Sequence, residues 1–226
     1  MVAAEKLKFG LVGNGHIAQY HKKAIEHVGG TVESIYDDPT ALSTSIPDSF
    51  FARLDYVTIC SPNYLHTTHI EQSLSKNCRV ICEKPLCMPS EMLILDDRIN
   101  AVLQLRYMDL PQKAELVYVK MVRNADYNNS WKGQNALTGG PIYHLFIHYI
   151  DLAMQLGARF VGEIAAEGEQ IRAIDNLALS YDTQSLYDKM YLDIVNGRGI
   201  KPKDLVNLYD RMKNSVVSTP KGYYTI

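Results

Sequence analysis

The motif GNGHIA at residues 13–18 follows the first hydrophobic run of the sequence. Gly13 would permit a tight turn, Gly15 would let the backbone approach a pyrophosphate, and Ala18 would keep a following helix close to the strand. The start of that helix would add backbone N–H groups and a positive dipole end for phosphates. Asp37 ends the next hydrophobic run, where its carboxylate would accept from both ribose hydroxyls and repel a 2′-phosphate. The pattern favours NAD over NADP, with a glycine turn and a surface aspartate as the alternative.

A second motif, CEKPL at residues 82–86, follows another hydrophobic run. In a doubly wound sheet, ligands bind beyond the carboxyl ends of the strands, so Lys84 would point into the cleft. A lysine ammonium near a hydroxyl stabilises a developing alkoxide or moves its proton. Pro85 would fix the turn in either its cis or its trans form. Taken alone, a lysine after a strand is more often a solvated charge.

The third candidate site is a polar stripe on the helix predicted for residues 142–156. At about 100° per residue, His144, His148 and Asp151 fall on one face of this helix. Gln155 extends the same face. The opposite face is apolar and must meet a core; it contains Ile142, Leu145, Tyr149, Leu152 and Leu156. The polar stripe is therefore either a functional site or a solvated face.

No metal site is expected. His144 and His148 have metal-ligand spacing, but no third ligand follows at a suitable distance. The pair His66 and His69 lacks the glutamate of a zinc-protease motif. The four cysteines contain no CxxC pair and lie in or beside apolar runs, which indicates buried free thiols; they are Cys60, Cys78, Cys82 and Cys87.

The elements that must position these residues alternate between strand and helix in the first half of the chain. Predicted strands cover residues 8–12, 32–36, 56–60, 79–82 and 101–105. Predicted helices cover residues 16–27, 66–75 and 89–98, the last with a proline near its first turn. Strands separated by helices indicate a parallel sheet covered on both faces.

The pattern changes after about Tyr107, where we place a domain boundary. The second part has predicted strands at 115–122, 161–166 and 170–174, with a polar, aromatic-tipped loop at 126–133. Its predicted helices cover 142–156, 184–195 and 202–214, and glycines separate the last two. The prediction is therefore an α/β protein, with a doubly wound parallel sheet in residues 1–107 and an α+β domain in 108–226.

Composition narrows the classes of partner. The chain has 226 residues, with 23 basic and 25 acidic side chains and a net charge of −2. This balance argues against nucleic acid and anionic membranes as partners. The N-terminal residues offer no apolar signal segment, and residues 142–156 fall short of the ~20 needed to span a bilayer. We therefore expect a cytoplasmic protein with no membrane segment.

The order of these motifs resembles the glucose–fructose oxidoreductase, inositol dehydrogenase and MocA-like (Gfo/Idh/MocA) family. The matching segments are FGLVGNGHIA at 9–18, DYVTICSPNYLH at 55–66, CEKPL at 82–86 and Gly139-Gly140 with HYID at 148–151. Within the family, three further segments resemble the UDP-N-acetylglucosaminuronate 3-dehydrogenases (WlbA/WbpB-like): VLQLR at 102–106, SWKG at 130–133 and YLDIVNGRG at 191–199. The resemblance implies a Rossmann domain with a reduced C-terminal domain.

The resemblance also implies roles for individual residues. Lys84 would contact the reacting hydroxyl, and His148 would be its acid/base partner. The residues implied to contact NAD are Gly13, Asn14, Gly15, His16, Ile17, Asp37, Ser61, Pro62, Asn63, His66, Glu83, Lys84 and Gln104. The residues implied to contact the substrate are Lys84, Arg106, Trp131, Lys132, His144 and His148.

The implied reaction is NAD-dependent oxidation of a sugar-ring hydroxyl, at C3 of a nucleotide sugar such as UDP-N-acetylglucosaminuronic acid. Two alternatives stay open. One is a catalytically reduced protein that binds NAD or a nucleotide sugar, and the other is a dehydrogenase of a different sugar.

Three departures from the family pattern bear on that choice. His144 stands where the family usually has Asp or Asn, and Phe146 replaces a small glycine, which would narrow the pocket. The stretch between Gly157 and Tyr181 is short for the broad sheet of the family. Because that sheet forms the oligomer interface in relatives, the homo-oligomer implied by the resemblance would be weakened.

Overall fold

A computed structural model describes residues 5–38, 44–166, 181–218 and 223–225. The strands within these ranges are β1 (Lys8–Val12), β2 (Thr31–Tyr36), β3 (Tyr56–Ile59), β4 (Arg79–Cys82), β5 (Ile99–Ala101), β6 (Leu116–Arg123), β7 (Arg159–Ala166), β8 (Val216–Ser218) and β9 (Tyr223–Thr225). The α-helices are α1 (His16–His27), α2 (His66–Ser75), α3 (Ala125–Asn129), α4 (Asn135–Thr138), α5 (Ile147–Leu156), α6 (Thr183–Val195) and α7 (Val206–Lys213).

The chain folds into two compact units. Unit 1 comprises Met1–Tyr107 and Asp182–Asp204, and unit 2 comprises Met108–Tyr181 and Leu205–Ile226. From the sequence, all of 108–226 is expected in the second domain, whereas residues 182–204 belong to unit 1. The physical reason is the apolar face of α6, which is buried in the core of unit 1.

A five-stranded parallel sheet organises unit 1. Its strands are ordered β2-β1-β3-β4-β5, and every neighbouring pair is parallel. The strand order reverses between β1 and β3, because β2 lies on one side of β1 and β3 on the other. In open α/β sheets, ligands bind beyond the carboxyl ends of the strands at such a reversal. The predicted doubly wound parallel sheet is confirmed.

Helices α1 and α6 pack against one face of this sheet. The buried side chains of α6 recur at intervals of three and four residues, which forms one helical face; they are Leu186, Tyr187, Met190, Tyr191 and Ile194. They share a core with Ala24 and Ile25 of α1 and with Phe9 and Tyr56 of the sheet. The rings of Phe9 and Tyr56 stack with centroids 5.0 Å apart. Alternate strand residues supply this face, as the two-residue period of a strand requires.

The helix predicted for residues 89–98 is wrong. This stretch consists of turns and irregular backbone, and its side chains bond locally. The Glu91 carboxylate accepts from Met88 N at 2.7 Å, and Asp96 Oδ1 accepts from Arg98 N at 2.8 Å. Such bonds offer the backbone an alternative to a helix. The apolar side chains Met92 and Leu95 are 84% and 65% exposed, so burial stabilises no helix here.

The strand predicted at 101–105 is displaced towards the N-terminus. β5 covers Ile99–Ala101 and ends level with Cys82, the last residue of β4. A short 3₁₀ turn follows at Gln104–Tyr107. The apolar run beyond β5 is buried nonetheless, so its composition indicates burial rather than strand structure; the residues are Val102, Leu103 and Leu105.

Unit 2 contains a four-stranded mixed sheet with the order β6-β7-β9-β8. β6 and β7 are parallel, whereas β9 is antiparallel to both of its neighbours. The two predicted strands at 115–122 and 161–166 correspond to β6 and β7. The predicted strand at 170–174 lies outside the described residues. β8 and β9 were not predicted, because strands of three residues are too short to show periodicity.

Candidate functional site

The loop after β1 is fixed between β2 and β3. Gly13 has φ +91°, and a Cβ atom there would lie 2.7 Å from the carbonyl oxygen of Cys60. Its N–H donates to the carbonyl oxygen of Tyr36 at 2.7 Å. Both the left-handed backbone and the close approach require glycine, so the first glycine of the motif is needed by the protein itself.

The start of α1 is open. Gly15 is the N-cap residue, with no side-chain cap and no acidic residue in the first turn. A Cβ atom on Gly15 would meet no protein atom within 4 Å, so packing within the described residues does not require glycine there. The uncapped N–H groups of the first turn, which begins at His16 and Ile17, suit a negatively charged group. These features fit the pyrophosphate of a dinucleotide.

Asp37 follows β2 and is exposed. Its Oδ1 accepts from the backbone N–H of Asn14 at 3.0 Å, and Lys22 Nζ donates to the Asn14 side chain at 2.7 Å. This contact fixes the carboxylate beside the glycine loop. Among the described residues Asp37 Oδ2 makes no hydrogen bond, which fits an acceptor for a ribose hydroxyl.

Backbone hydrogen bonds extend the sheet beyond its strands and align the candidate segments. Cys60 N donates to Val12 O at 2.7 Å, and Glu83 N donates to Ile59 O at 3.0 Å. The glycine loop, the segment after β3 and the segment after β4 therefore lie side by side at the carboxyl edge of the sheet. This edge brings together the predicted cofactor residues of three loops.

The His66 ring contacts both the loop after β3 and the loop after β4. The ring is buried, with Nδ1 2.6 Å from the Pro85 carbonyl oxygen and Nε2 2.8 Å from the Ser61 carbonyl oxygen. A neutral imidazole carries one N–H, so only one contact is then a hydrogen bond. Burial lowers the pKa of His66, and the two carbonyls oppose that shift. Contact of His66 with a cofactor stays a prediction, since both ring nitrogens already face protein atoms.

Ser61 and Asn63, which the resemblance implies to contact NAD, lie on the loop after β3. Ser61 Oγ is 2.9 Å from His69 Nδ1, and Asn63 is buried in a short 3₁₀ turn after Pro62. Burial and the neighbouring His66 lower the pKa of His69 to about 4. The neutral ring can therefore accept a hydrogen bond from the Ser61 hydroxyl.

Glu83 is buried beneath α1 and α6. Its Oε1 accepts from the Tyr187 hydroxyl at 2.6 Å and from His21 Nε2 at 3.1 Å. Burial by itself raises the pKa of Glu83, but His21, Lys84 and Tyr187 together lower it to about 2. Glu83 is therefore an ionised buried carboxylate. Neither His21 nor Tyr187 was predicted as a site residue, although a polar residue on the buried face of α1 is a signal for His21.

Lys84 is half-buried at the same edge of the sheet. Its backbone N–H donates to Glu83 Oε2 at 3.3 Å, and the Lys84–Pro85 peptide bond is cis. The isomer that the sequence left open is therefore assigned. Gln104 and Arg106 lie on the 3₁₀ turn after β5, and the buried Oε1 of Gln104 accepts no hydrogen bond from a described residue. That oxygen fits a ligand N–H, such as a carboxamide.

In unit 2, the predicted polar stripe is only partly solvated, because His144 is half-buried and Gln155 is exposed. His148 and Asp151 lie one turn apart on α5, and both are buried. Asp151 Oδ2 accepts from Gln155 Nε2 at 2.8 Å. The preceding turn, Ile142–Phe146, is π-helical, so the 100° step does not hold across it. Such turns occur frequently at functional sites.

His144 lies in that π-helical turn between two aromatic rings. Its centroid is 5.7 Å from that of Trp131 and 6.2 Å from that of Tyr127. Lys132 follows Trp131 and is exposed. The structure therefore brings two predicted substrate residues, His144 and Trp131, together. It adds Tyr127, which the sequence analysis placed only within a polar loop.

Phe146 packs inside unit 2. Its ring centroid lies 5.5 Å from that of Phe160 and 5.3 Å from that of Tyr224. A Cβ atom on Gly162 would lie 2.9 Å from the Phe146 ring. A glycine in β7 therefore accommodates the ring within the core of unit 2, and the narrowing of a substrate pocket by Phe146 stays a prediction.

Within the described residues, no helix is long and apolar enough to cross a membrane. The same residues contain no group of three or more His, Cys, Asp or Glu side chains that could hold a metal ion. The four cysteines are free thiols, and three of them are buried.

Two curated proteins are similar in sequence. Glucose-6-phosphate 3-dehydrogenase of Bacillus subtilis (strain 168) is 24% identical over 92% of this chain, and D-glucoside 3-dehydrogenase of Escherichia coli (strain K12) is 30% identical over 54% of it. The aligned regions span 65% and 39% of the length of these relatives.

Solved structures share the fold. The WlbA (WbpB) dehydrogenase of Thermus thermophilus, in complex with NAD and UDP-GlcNAcA, has a TM-score of 0.75 at 23% identity and covers 95% of this chain and 97% of that one. The WlbA dehydrogenase of Bordetella pertussis, in complex with NADH and UDP-GlcNAcA, has a TM-score of 0.55 at 22% identity, covering 70% and 62%.

The N-terminal region of the chain matches a protein-family model. Residues 7–95 match the Gfo/Idh/MocA model, described as an oxidoreductase family with an NAD-binding Rossmann fold. The matched region contains the glycine loop, Asp37 and Lys84, and it ends before β5. Over residues 7–95, the chain is therefore similar to the NAD-binding Rossmann domain of the Gfo/Idh/MocA oxidoreductase family.

Proposed function

We propose that this protein is an NAD-dependent dehydrogenase that oxidises a ring hydroxyl of a sugar. The proposed reacting position is C3 of a nucleotide sugar such as UDP-N-acetylglucosaminuronic acid. The observation that carries the proposal is the position of Lys84. It follows β4 at the same sheet edge as the glycine loop that precedes α1, so a lysine amine and a dinucleotide-binding loop share one edge.

Lys84 is the proposed proton acceptor. Bound NAD supplies the hydride acceptor for the C–H hydrogen of the substrate carbon. The neutral amine of Lys84 takes the hydroxyl proton as the C=O bond forms, and the positive charge that it thereby gains stabilises the alkoxide character of the transition state. We assign His148 the acid/base role that the family resemblance implies; it is buried on α5, one turn before Asp151.

Binding of the cofactor is assigned to residues with matching geometry. The first turn of α1 would hold the pyrophosphate, and the exposed carboxylate of Asp37 would accept from the ribose. The buried oxygen of Gln104, which accepts no hydrogen bond from a described residue, is the proposed acceptor for the carboxamide N–H of the nicotinamide. Trp131, Lys132, His144 and Arg106 are the proposed substrate contacts.

The names of the similar proteins support C3 as the reacting position. Both curated relatives are 3-dehydrogenases, one of glucose 6-phosphate and one of D-glucosides. The two WlbA dehydrogenases were crystallised with UDP-GlcNAcA. A hexose phosphate or a glucoside is therefore the second candidate substrate class, favoured by the curated relatives, and it differs from the first only in the group attached to the ring.

A substrate panel tests the proposal. The purified protein is incubated with NAD and, separately, UDP-N-acetylglucosaminuronic acid, glucose 6-phosphate, a methyl glucoside and myo-inositol, while NADH absorbance is followed. The first sugar should give the fastest rise, and a ketone at C3 should appear by product NMR. Faster turnover of a hexose phosphate or glucoside would replace the proposed substrate. No NADH from any sugar, with NAD binding intact by calorimetry, would favour a binding protein.

A further inference from the structure

A buried polar cluster joins α1, α6 and the segment that carries Lys84. It contains His21, Thr58, Glu83, Tyr187 and Tyr191, all buried. Tyr187 lies 104 residues after Glu83 in the sequence, yet its hydroxyl donates to Oε1 of that carboxylate at 2.6 Å. The cluster therefore depends on the return of residues 182–204 to unit 1.

Each polar group in the cluster has a partner. His21 Nε2 donates to Glu83 Oε1, because an ionised carboxylate can only accept. His21 Nδ1 lies 2.8 Å from the Tyr191 hydroxyl, which is 3.1 Å from Thr58 Oγ1. A buried network whose members are all satisfied is rigid. It holds the Glu83 carboxylate in one place.

The other oxygen of Glu83 faces the backbone of Lys84. Oε2 accepts from the Lys84 N–H at 3.3 Å, so the carboxylate bridges the helices and the residue that carries the proposed base. Loss of either helix contact would leave a buried carboxylate short of a donor. Such a group costs more than the bond itself and moves towards another partner.

The charge of Glu83 also acts on Lys84. The Lys84 ammonium helps to lower the pKa of Glu83. The interaction is reciprocal, so the Glu83 carboxylate attracts the Lys84 ammonium. Among the described residues, the other titratable groups that interact with Glu83 are His21 from α1, Tyr187 and Tyr191 from α6, His66 from α2, and Cys60 and Cys82 from the strand ends.

We propose that His21 and Tyr187 are positioning residues for Lys84, acting through the Glu83 carboxylate. This inference rests on the proposed function, because it concerns the residue that takes the substrate proton. It gives α6 a positioning role in the NAD-binding unit, although α6 begins about 90 residues beyond the family match. Neither residue needs to touch substrate or cofactor.

Tyr187→Phe removes the hydroxyl and keeps the ring in the core. Tyr20→Phe is the matched control, because the Tyr20 ring stacks on Tyr187 with centroids 5.5 Å apart and makes no bond to Glu83. For Tyr187→Phe we expect kcat to fall roughly tenfold or more, since small displacements of reacting groups are costly. The KM for NAD should stay within about twofold, because Tyr187 is not among the residues assigned to the pyrophosphate and the ribose, and Tyr20→Phe should resemble the wild type.

Two conservative substitutions of His21 test whether its contact with Glu83 matters for activity. His21→Gln keeps a donor near the position of Nε2, whereas His21→Asn keeps one near Nδ1 and loses the contact with Glu83. We expect His21→Gln to retain most of the kcat and His21→Asn to lose it. Equal losses in both variants would indicate a role in packing only.

Two further measurements separate this inference from the proposed function. Amide exchange of Lys84, followed by NMR, should be faster in Tyr187→Phe than in Tyr20→Phe, whatever the substrate. In Glu83→Gln, the Lys84 amide should likewise exchange faster than in the wild type, because the carboxylate that accepts its N–H is lost.

The outcomes are distinguishable. A wild-type protein that oxidises no sugar overturns the proposed function, and the Lys84 exchange rate then decides whether the cluster holds that residue. Equal Lys84 exchange in Tyr187→Phe and Tyr20→Phe overturns the positioning role. So does an active enzyme in which Tyr187→Phe leaves kcat unchanged.

Discussion

The Asp37 carboxylate accepts a 3.0 Å hydrogen bond from the backbone N–H of Asn14, which ties the end of β2 to the glycine loop. The contact orients an exposed anion beside the residues that would hold the pyrophosphate. An aspartate in this position suits a ribose with two free hydroxyls and opposes a 2′-phosphate.

Asp37→Ser should therefore weaken NAD binding and reduce discrimination against NADP. We expect the Kd for NAD to rise roughly tenfold, which corresponds to the loss of about 1.4 kcal/mol, while the Kd for NADP falls. Calorimetric titration with both dinucleotides measures this. Glu33→Gln, which removes a charge from the middle of β2, is the control. An unchanged ratio of NAD to NADP affinity in Asp37→Ser would show that Asp37 does not discriminate between a ribose 2′-hydroxyl and a 2′-phosphate.

The two glycines of the loop should respond differently to alanine. Gly13→Ala places a Cβ atom 2.7 Å from the Cys60 carbonyl oxygen at φ +91°, so it should lower the free energy of unfolding by about 1–3 kcal/mol. Gly15→Ala meets no protein atom within 4 Å and should leave that free energy within about 0.5 kcal/mol. It should nevertheless weaken NAD binding, because its methyl group enters the space assigned to the pyrophosphate.

Urea unfolding and NAD titration of both variants test this contrast. Wild-type NAD affinity in Gly15→Ala would contradict the assignment of the pyrophosphate to this turn. Equal stability losses in the two variants would contradict the packing on which the assignment depends.

Stability should depend on pH through His69. Burial lowers its pKa to about 4 in the folded protein, against about 6.5 in the unfolded chain. Between these values the unfolded state binds the proton and the folded state does not, so stability falls as pH drops from about 6.5 to about 4. Burial also lowers the pKa of His66, so this residue adds to the loss of stability as the pH falls.

His69→Gln should flatten this dependence, because glutamine keeps a polar group near Ser61 without titrating. The exposed His27 provides the control variant His27→Gln. The measurement is the free energy of unfolding at pH 7 and pH 5. A wild-type slope in His69→Gln would mean that this histidine is protonated equally in both states.

Because Phe146 packs against Gly162 of β7, we expect substitutions at these two positions to have non-additive effects on the free energy of unfolding. Gly162→Ala places a Cβ atom 2.9 Å from the Phe146 ring and should cost about 1–3 kcal/mol of unfolding free energy. In a Phe146→Leu background the same alanine should cost less, because the smaller side chain leaves room. Chemical denaturation of the four proteins in this cycle measures the coupling. Additive effects would contradict the contact.

Much of unit 1 could be predicted from the sequence. The bounds of α1, α2, β1 and β4 follow from periodicity, and the glycine loop and Lys84 lie at the sheet edge where the motifs indicate. These features depend on short segments whose patterns act locally. The helix predicted at 89–98 failed because Glu91 and Asp96 bond their own loop and the apolar side chains face solvent.

The partners of Glu83 could not be predicted, because they depend on contacts between distant parts of the chain. Nothing in the spacing of residues 184–195 shows that Tyr187 meets a carboxylate 104 residues earlier. Likewise, the packing of Phe146 depends on a glycine in β7, which no helical pattern reveals. Local periodicity predicts elements, whereas cross-chain polar contacts require the fold.

The central claim is that Lys84 takes the proton in NAD-dependent sugar oxidation, and Lys84→Ala tests it most directly. Lys76→Ala is the control, since Lys76 is a surface residue after α2 that pairs with Asp48 at 2.8 Å. On the best substrate of the panel, kcat of Lys84→Ala should fall at least about 100-fold, the range for loss of a general base, with the NAD Kd within about threefold. Lys76→Ala should keep the wild-type kcat. Turnover by Lys84→Ala close to the wild-type rate would contradict the account.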